Sequence, residues 1–237
     1  VKIILFGATG MVGQGVLREC LLDPEVTVIQ TVGRTSPGLT DKKLKDLVLN
    51  DLENLSAVEA QLVDFDLCLF CLGVSSAGMG EEKYKRLTYD LTLTVAETLV
   101  RLNPKLTFVY VSGRSTDSSE KGPVMWARIK GRTENDLAKL PFKAVFNLRP
   151  AAILPVHGER SKTPAYRILY ILLGPLLPLA RKLFPMQVTT TERLAKVMIA
   201  LGKIGYPKTI LETEDIENFP IQKVSGTFRA RKVPDTF

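Results

Sequence analysis

Three glycines spaced three residues apart constrain this chain more than any other feature. Residues 2–6 are apolar and of strand length, Gly7, Gly10 and Gly13 follow as G-x-x-G-x-x-G, and residues 12–22 have a helical period. Strand, glycine turn and helix in this order make a dinucleotide-binding turn. The first glycine permits a tight turn, and the second lets a pyrophosphate approach the backbone. The third lets the helix pack close to the strand, with its N-terminus facing the phosphates. Thr9, Met11 and Val12 complete the turn and join the glycines as candidate cofactor contacts.

Beyond the turn, strand-length apolar runs alternate with helical periods. Strands are expected at 26–32, 44–50, 66–72, 106–111 and 143–148, with helices around 53–62, 81–101 and 124–140. This rhythm predicts an α/β chain with a doubly wound parallel Rossmann sheet flanked by helices. After Pro150 the rhythm breaks. Proline, glycine and basic residues cluster over 154–164, residues 166–184 are strongly apolar, and a helix (189–202) and a short strand (209–212) follow. The expectation is one NAD(P)-binding domain over 1–222, with 151–188 as a small C-terminal substrate cap. Residues 223–237 read as a weakly ordered tail with no assigned function.

The second strand selects the cofactor. An NAD site would carry a carboxylate near its end for the ribose hydroxyls. Here the strand runs into Gly33-Arg34-Thr35, and the planar fork of Arg34 suits a 2′-phosphate. NADP(H) is therefore expected over NAD(H). Asp51 and Leu52, placed at the end of the third strand, would flank the adenine. Leu72, Gly73 and Val74, placed at the end of the fourth, would line the cofactor further along.

The net charge is +7 over 237 residues, yet it does not indicate nucleic acid. Lys223, Arg229, Arg231 and Lys232 crowd the tail against Asp235 alone. The remaining surplus is spread without an arginine-rich tract or aromatic interleaving, and a small anionic ligand accounts for it. Cys20, Cys68 and Cys71 give no disulfide framework. Cys68 and Cys71 lie in the apolar run 67–72, as buried thiols on opposite faces of a strand. With His157 the one histidine, familiar spacings assemble no metal site.

The apolar segment 166–184 is too short to span a membrane. Thirteen uncharged residues separate Arg167 from Arg181, against roughly 20 for a spanning helix. It reads as a pocket lid, a homodimer surface or a peripheral membrane contact, in that order. The basic border of Arg160, Lys162, Arg167, Arg181 and Lys182 keeps the membrane contact open. No signal peptide is read at the first strand, and a cytoplasmic location is expected.

The motifs GATGMVG, VGR and VYVSG after the first, second and fifth strands, the helix WARIKGRTENDL and the strand NLRPAAI resemble the atypical short-chain dehydrogenase/reductase family. Within it they are similar to the branch containing the Tat-interacting protein, over about residues 1–215. The resemblance implies that Ser112 polarises a substrate carbonyl. It also implies that Lys130 is the lysine of a Tyr-x-x-x-Lys pair and holds the nicotinamide ribose. Trp126 stands where that tyrosine belongs. Residues 126 and 130 share a helix face, but an indole N–H has no acid–base function near neutral pH. His157, Tyr84 and Tyr89 are alternative proton donors, among which the sequence does not choose. Two functions follow: an oxidoreductase acting on a small carbonyl substrate, or a non-catalytic NADP(H)-binding sensor or scaffold. Isomerase or epimerase chemistry would need the missing tyrosine.

Overall fold

The apolar runs pair as parallel strands in the computed structural model, which describes residues 1–160 and 186–221. The main sheet contains β1 (Lys2–Phe6), β2 (Val28–Gly33), β3 (Leu44–Val48), β4 (Leu67–Phe70), β5 (Thr107–Val111), β6 (Ala144–Arg149) and β9 (Ile210–Glu212). Its order is β3-β2-β1-β4-β5-β6-β9, and every pairing is parallel. The order reverses direction at β1 and β4, the place where open α/β sheets form a ligand crevice. β7 (Ala152–Leu154) and β8 (Val188–Thr190) pair separately, joining the two ends of the segment expected to be the cap.

Parallel sheets are covered on both faces, so their inner strands are apolar throughout; β4, LCLF, is buried at every position. On one face, α1 (Met11–Leu22) and α5 (Thr191–Ile204) pack over Ile3, Leu5, Leu69 and Val109 through Val16, Leu17, Leu194 and Met198. On the other, a 3-10 helix (Ser56–Gln61), α3 (Leu91–Leu102) and α4 (Met125–Leu137) cover Ile4, Phe6, Phe70 and Phe108. An aromatic row crosses this second face, with ring centroids 5.5 Å apart for Phe6 and Phe70 and 5.7 Å for Phe70 and Phe108.

Several expected boundaries are corrected. The helix expected at 53–62 is a six-residue 3-10 turn, started by the Asn54 side chain, which accepts the Ser56 N–H at 3.1 Å. Leu55, which caps it, and Val58 within it are buried three residues apart, the 3-10 repeat. The helix expected at 81–101 contains α2 (Glu81–Lys85), a π-turn (Arg86–Asp90) and α3. No glycine or proline marks that turn, so periodicity conceals it.

The third strand stops at Val48, leaving Asp51 and Leu52 in the following turn, where Asp51 Oδ1 accepts the Glu53 N–H at 2.8 Å. The fourth stops at Phe70, so Cys71 and residues 72–74 stand beyond it. Burial pushes all three thiols up from their ordinary pKa. The apolar segment 166–184 and the tail 223–237 lie outside the described residues. Among those described, no helix is long and apolar enough to cross a membrane.

Candidate functional site

The three turn glycines differ in what requires them. Gly7 has φ +81°, and a Cβ there would lie 2.8 Å from the Cys71 carbonyl carbon. A Cβ at Gly13 would lie 1.9 Å from the Gly7 carbonyl oxygen, so α1 could not seat against β1. Gly10 has φ −83° and ψ 163°, open to any residue, and its Cβ would come no nearer than 3.4 Å to Gly7 O. The fold needs Gly7 and Gly13, whereas position 10 has room for a side chain. Gly10 caps α1 without a side-chain hydrogen bond, so the first-turn N–H groups of Met11, Val12 and Gly13 suit an anion.

The carboxyl ends of β1 to β5 set the other predicted residues along the same sheet edge. Arg34 directly follows β2, and the Phe6–Val32 pairing puts it beside the glycine turn. It is exposed. The loop carrying it is anchored by Asp46, which accepts the Thr31 hydroxyl at 2.6 Å and the Ser36 hydroxyl at 2.5 Å. Asp46 was not legible as an anchor, because it lies on the neighbouring strand. Asp51 is exposed and Leu52 is buried in the second-face core. Leu72 packs against that core, while Gly73 and Val74 are exposed. A Cβ at Gly73 would meet nothing within 4 Å, so the fold does not require glycine there either.

Ser112 and Lys130 are brought together. Lys130 Nζ donates to the Ser112 carbonyl oxygen at 3.0 Å and lies 5.7 Å from the centre of the Tyr110 ring. Burial lowers the Lys130 pKa to about 8, with the Glu134 carboxylate opposing the shift. That carboxylate is itself engaged by Arg149, whose Nη2 and Nε reach it at 2.6 and 3.1 Å. Ser112 is buried, and its Oγ lies 3.0 Å from Thr116 Oγ1, which donates to the Gly113 carbonyl at 2.7 Å. With the Thr116 proton committed, the Ser112 hydroxyl is the donor of that pair. Trp126 is half-buried, one helical turn before Lys130. Beyond Ser112, a cavity of about 340 Å³ is lined by Arg114, Ser115, Gln187, Glu212 and Glu214. Ser115 there has φ 66°, a costly conformation for a residue with a side chain.

The alternative proton donors are otherwise engaged. Tyr84 is buried at 2% exposure. The Tyr89 hydroxyl donates to Asp136 at 2.7 Å, and burial and that carboxylate push its pKa up. His157 Nε2 lies 3.0 Å from Glu192 on α5, the helix covering the sheet face opposite α4. Glu19, His157 and Glu192 offer ligand-type atoms within 4.8 Å of one another, a cluster no spacing rule exposes. Arg18 and Lys196 already pair with these carboxylates, so it is an ion-pair cluster.

The fold defines a Rossmann α/β protein. It superposes on the Bordetella bronchiseptica enzyme WbmF, solved with NAD+, with a TM-score of 0.65 and 15% identity, over 98% of this chain and 82% of that one. A short-chain dehydrogenase family protein from Francisella tularensis matches with a TM-score of 0.62 and 16% identity, over 89% of this chain and 96% of that one. No protein-family model matches the chain. The particular family comes from sequence: the chain belongs to the FMP52 family. It is 30% identical to "Protein FMP52, mitochondrial" of Candida albicans over 163 residues, 67% of this chain and 69% of that protein. The Meyerozyma guilliermondii protein of the same name is 27% identical over 236 residues, 97% of both chains. These names overturn the expected cytoplasmic location. A cellular address is read by receptors, and the strand character of residues 2–6 carries no information about it.

Proposed function

We propose that the chain is an NADP(H)-dependent oxidoreductase that reduces a small carbonyl compound, with Ser112 and Lys130 as its catalytic pair. The observation carrying this reading is the Lys130 ammonium held 3.0 Å from the Ser112 carbonyl oxygen, beside a glycine turn whose Gly10 the fold itself does not require. Bound NADPH would supply a hydride to the carbonyl carbon. The Ser112 hydroxyl turns from Thr116 to donate to the carbonyl oxygen and stabilise the charge developing there. Lys130 holds the nicotinamide ribose and, in place of the missing tyrosine, gives its proton to the nascent alkoxide. The neutral amine then regains a proton from water. A pKa near 8 suits an acid working close to neutral pH. Arg34 takes the 2′-phosphate, and the contacts at positions 51, 52 and 72–74 line the dinucleotide.

Trp126 favours a second reading, a non-catalytic NADP(H) sensor or scaffold, since an indole cannot replace the tyrosine. The finer likeness to the Tat-interacting branch rests on the GATGMVG, VGR and VYVSG motifs, and the relatives' mitochondrial names suggest the compartment in which to seek a substrate. NADPH and NADH titrations, followed by a carbonyl panel monitored by absorbance, test both readings. The oxidoreductase binds NADPH tightly and turns over a panel member, and Arg34→Ala weakens NADPH far more than NADH. Turnover that appears only in Trp126→Tyr supports the sensor. Absence of binding to either nucleotide refutes both.

A further inference from the structure

The glycine turn is short of positive charge. Residues 7–14 contain no cation, and Arg18 on α1 is paired with buried Glu19. A helix N-terminus offers the equivalent of about half a positive charge, which leaves most of a pyrophosphate's charge unmatched. Arg34 stands at the adenosine end, one strand away.

A second arginine is tethered to the turn from 146 positions further along the chain. The Gln14 amide, in the first turn of α1, makes three hydrogen bonds. Its Nε2 donates to the Thr9 carbonyl at 3.0 Å and to the Arg160 carbonyl at 3.3 Å, while its Oε1 accepts the Arg160 N–H at 3.1 Å. One side chain therefore links the glycine turn to both polar backbone groups of Arg160. The turn at 156–160 is held independently by Glu159, which is 5% exposed. Its Oε2 accepts the N–H groups of Val156 and His157 at 3.0 and 2.8 Å, and its Oε1 accepts the Thr191 hydroxyl at 2.9 Å. A buried carboxylate below and an amide beside it fix the Arg160 backbone against α1. Its side chain is exposed, and among the described residues no carboxylate pairs with it.

We propose that Arg160 is a pyrophosphate ligand of the dinucleotide site and that Gln14 is the residue positioning it. The inference rests on the dinucleotide reading above and assigns the cation that the turn lacks. A guanidinium matches phosphate oxygens with paired donors, and an anchored backbone reduces the entropy lost on engaging them.

The test is titration of the wild type, Arg160→Ala, Arg160→Lys, Gln14→Ala and the Arg160→Ala/Gln14→Ala double variant with NADPH, NADH, ADP-ribose and adenosine. Arg160→Ala is expected to weaken the three pyrophosphate ligands alike, by roughly ten- to a hundredfold for a charge-assisted contact, and to leave adenosine unchanged. The NADPH:NADH preference stays constant, unlike in Arg34→Ala, and the salt dependence of binding becomes shallower. Arg160→Lys recovers part of the loss. Gln14→Ala shows the same ligand pattern, and the double variant loses no more than Arg160→Ala alone. Wild-type affinities in Arg160→Ala, or a loss that extends equally to adenosine, overturn the Arg160 assignment. Additive losses in the double variant overturn the positioning role of Gln14. Wild-type protein that binds no nucleotide defeats the dinucleotide reading before any variant is compared.

Discussion

At position 13 a single methyl group would overlap the Gly7 carbonyl oxygen, 1.9 Å from the Cβ. Three residues earlier the same methyl group would reach only ordinary contact distance, 3.4 Å. Two glycines that look equivalent in the motif therefore have different masters. Gly13→Ala is expected to destabilise the nucleotide-free protein by at least the ~1–3 kcal/mol of overpacking, because backbone on both sides leaves little room to yield. Gly10→Ala is expected to leave the nucleotide-free melting temperature nearly unchanged while sharply weakening NADPH and NADH. Thermal denaturation without ligand, followed by titration, separates the two. Wild-type affinity in Gly10→Ala would show that no ligand approaches that backbone. Ser112 carries a similar lesson, since Thr116, four residues on, decides where its proton points.

At the scale of elements, α4 carries both Trp126 and Lys130. Ala127 and Ile129 on it are buried, whereas Trp126 and Lys130 are half-buried. Lys130 is a charged group in a site that disfavours charge, with a folded pKa of about 8 against an ordinary 10.5. Between those values the unfolded chain holds a proton that the folded chain has released, so stability should rise with pH across that window. Below about 8 both states are protonated and this dependence disappears. Lys130→Met removes this charge. The variant should be more stable at pH 7, by about 1–3 kcal/mol, lose the alkaline rise, and bind nucleotide more weakly. Denaturation midpoints from pH 7 to 10.5 check this; a wild-type slope that persists in the variant would assign the titration elsewhere.

Across the whole molecule, the far half of the sheet is joined by Arg149. From the end of β6 it reaches Glu134 on α4 at 2.6 Å, Ser118 Oγ at 2.6 Å and Glu212 at the end of β9 at 3.4 Å. Glu134 is 1% exposed, and without its partner it becomes a buried uncompensated charge. Arg149→Met should cost about 3–5 kcal/mol, read as a lower urea midpoint, with partial recovery in Arg149→Met/Glu134→Gln. No change in the midpoint would mean that Glu134 finds another partner. Glu134 also faces Lys130, whose pKa its charge raises against the effect of burial, so the edge that fastens β9 is electrostatically linked to the lysine.

The alternation of apolar runs, the glycine turn and the loss of rhythm after Pro150 determined the doubly wound sheet from sequence alone. They are local properties: strand period, helix period and the steric freedom of glycine act within a few residues. The candidate residues were legible for the same reason, since parallel strands carry their carboxyl ends to one edge. Contacts across the chain were not legible. Nothing near Gln14 in sequence announces Arg160, 146 positions away, and nothing in the VYVSG motif announces which group receives the Ser112 proton. The π-turn after Lys85 and the early ends of β3 and β4 escaped for a related reason, because hydrogen-bond register is settled by what packs against an element. Composition and period specify which surfaces are buried, whereas the partners of individual polar groups depend on which distant segments meet, and only the tertiary structure decides that.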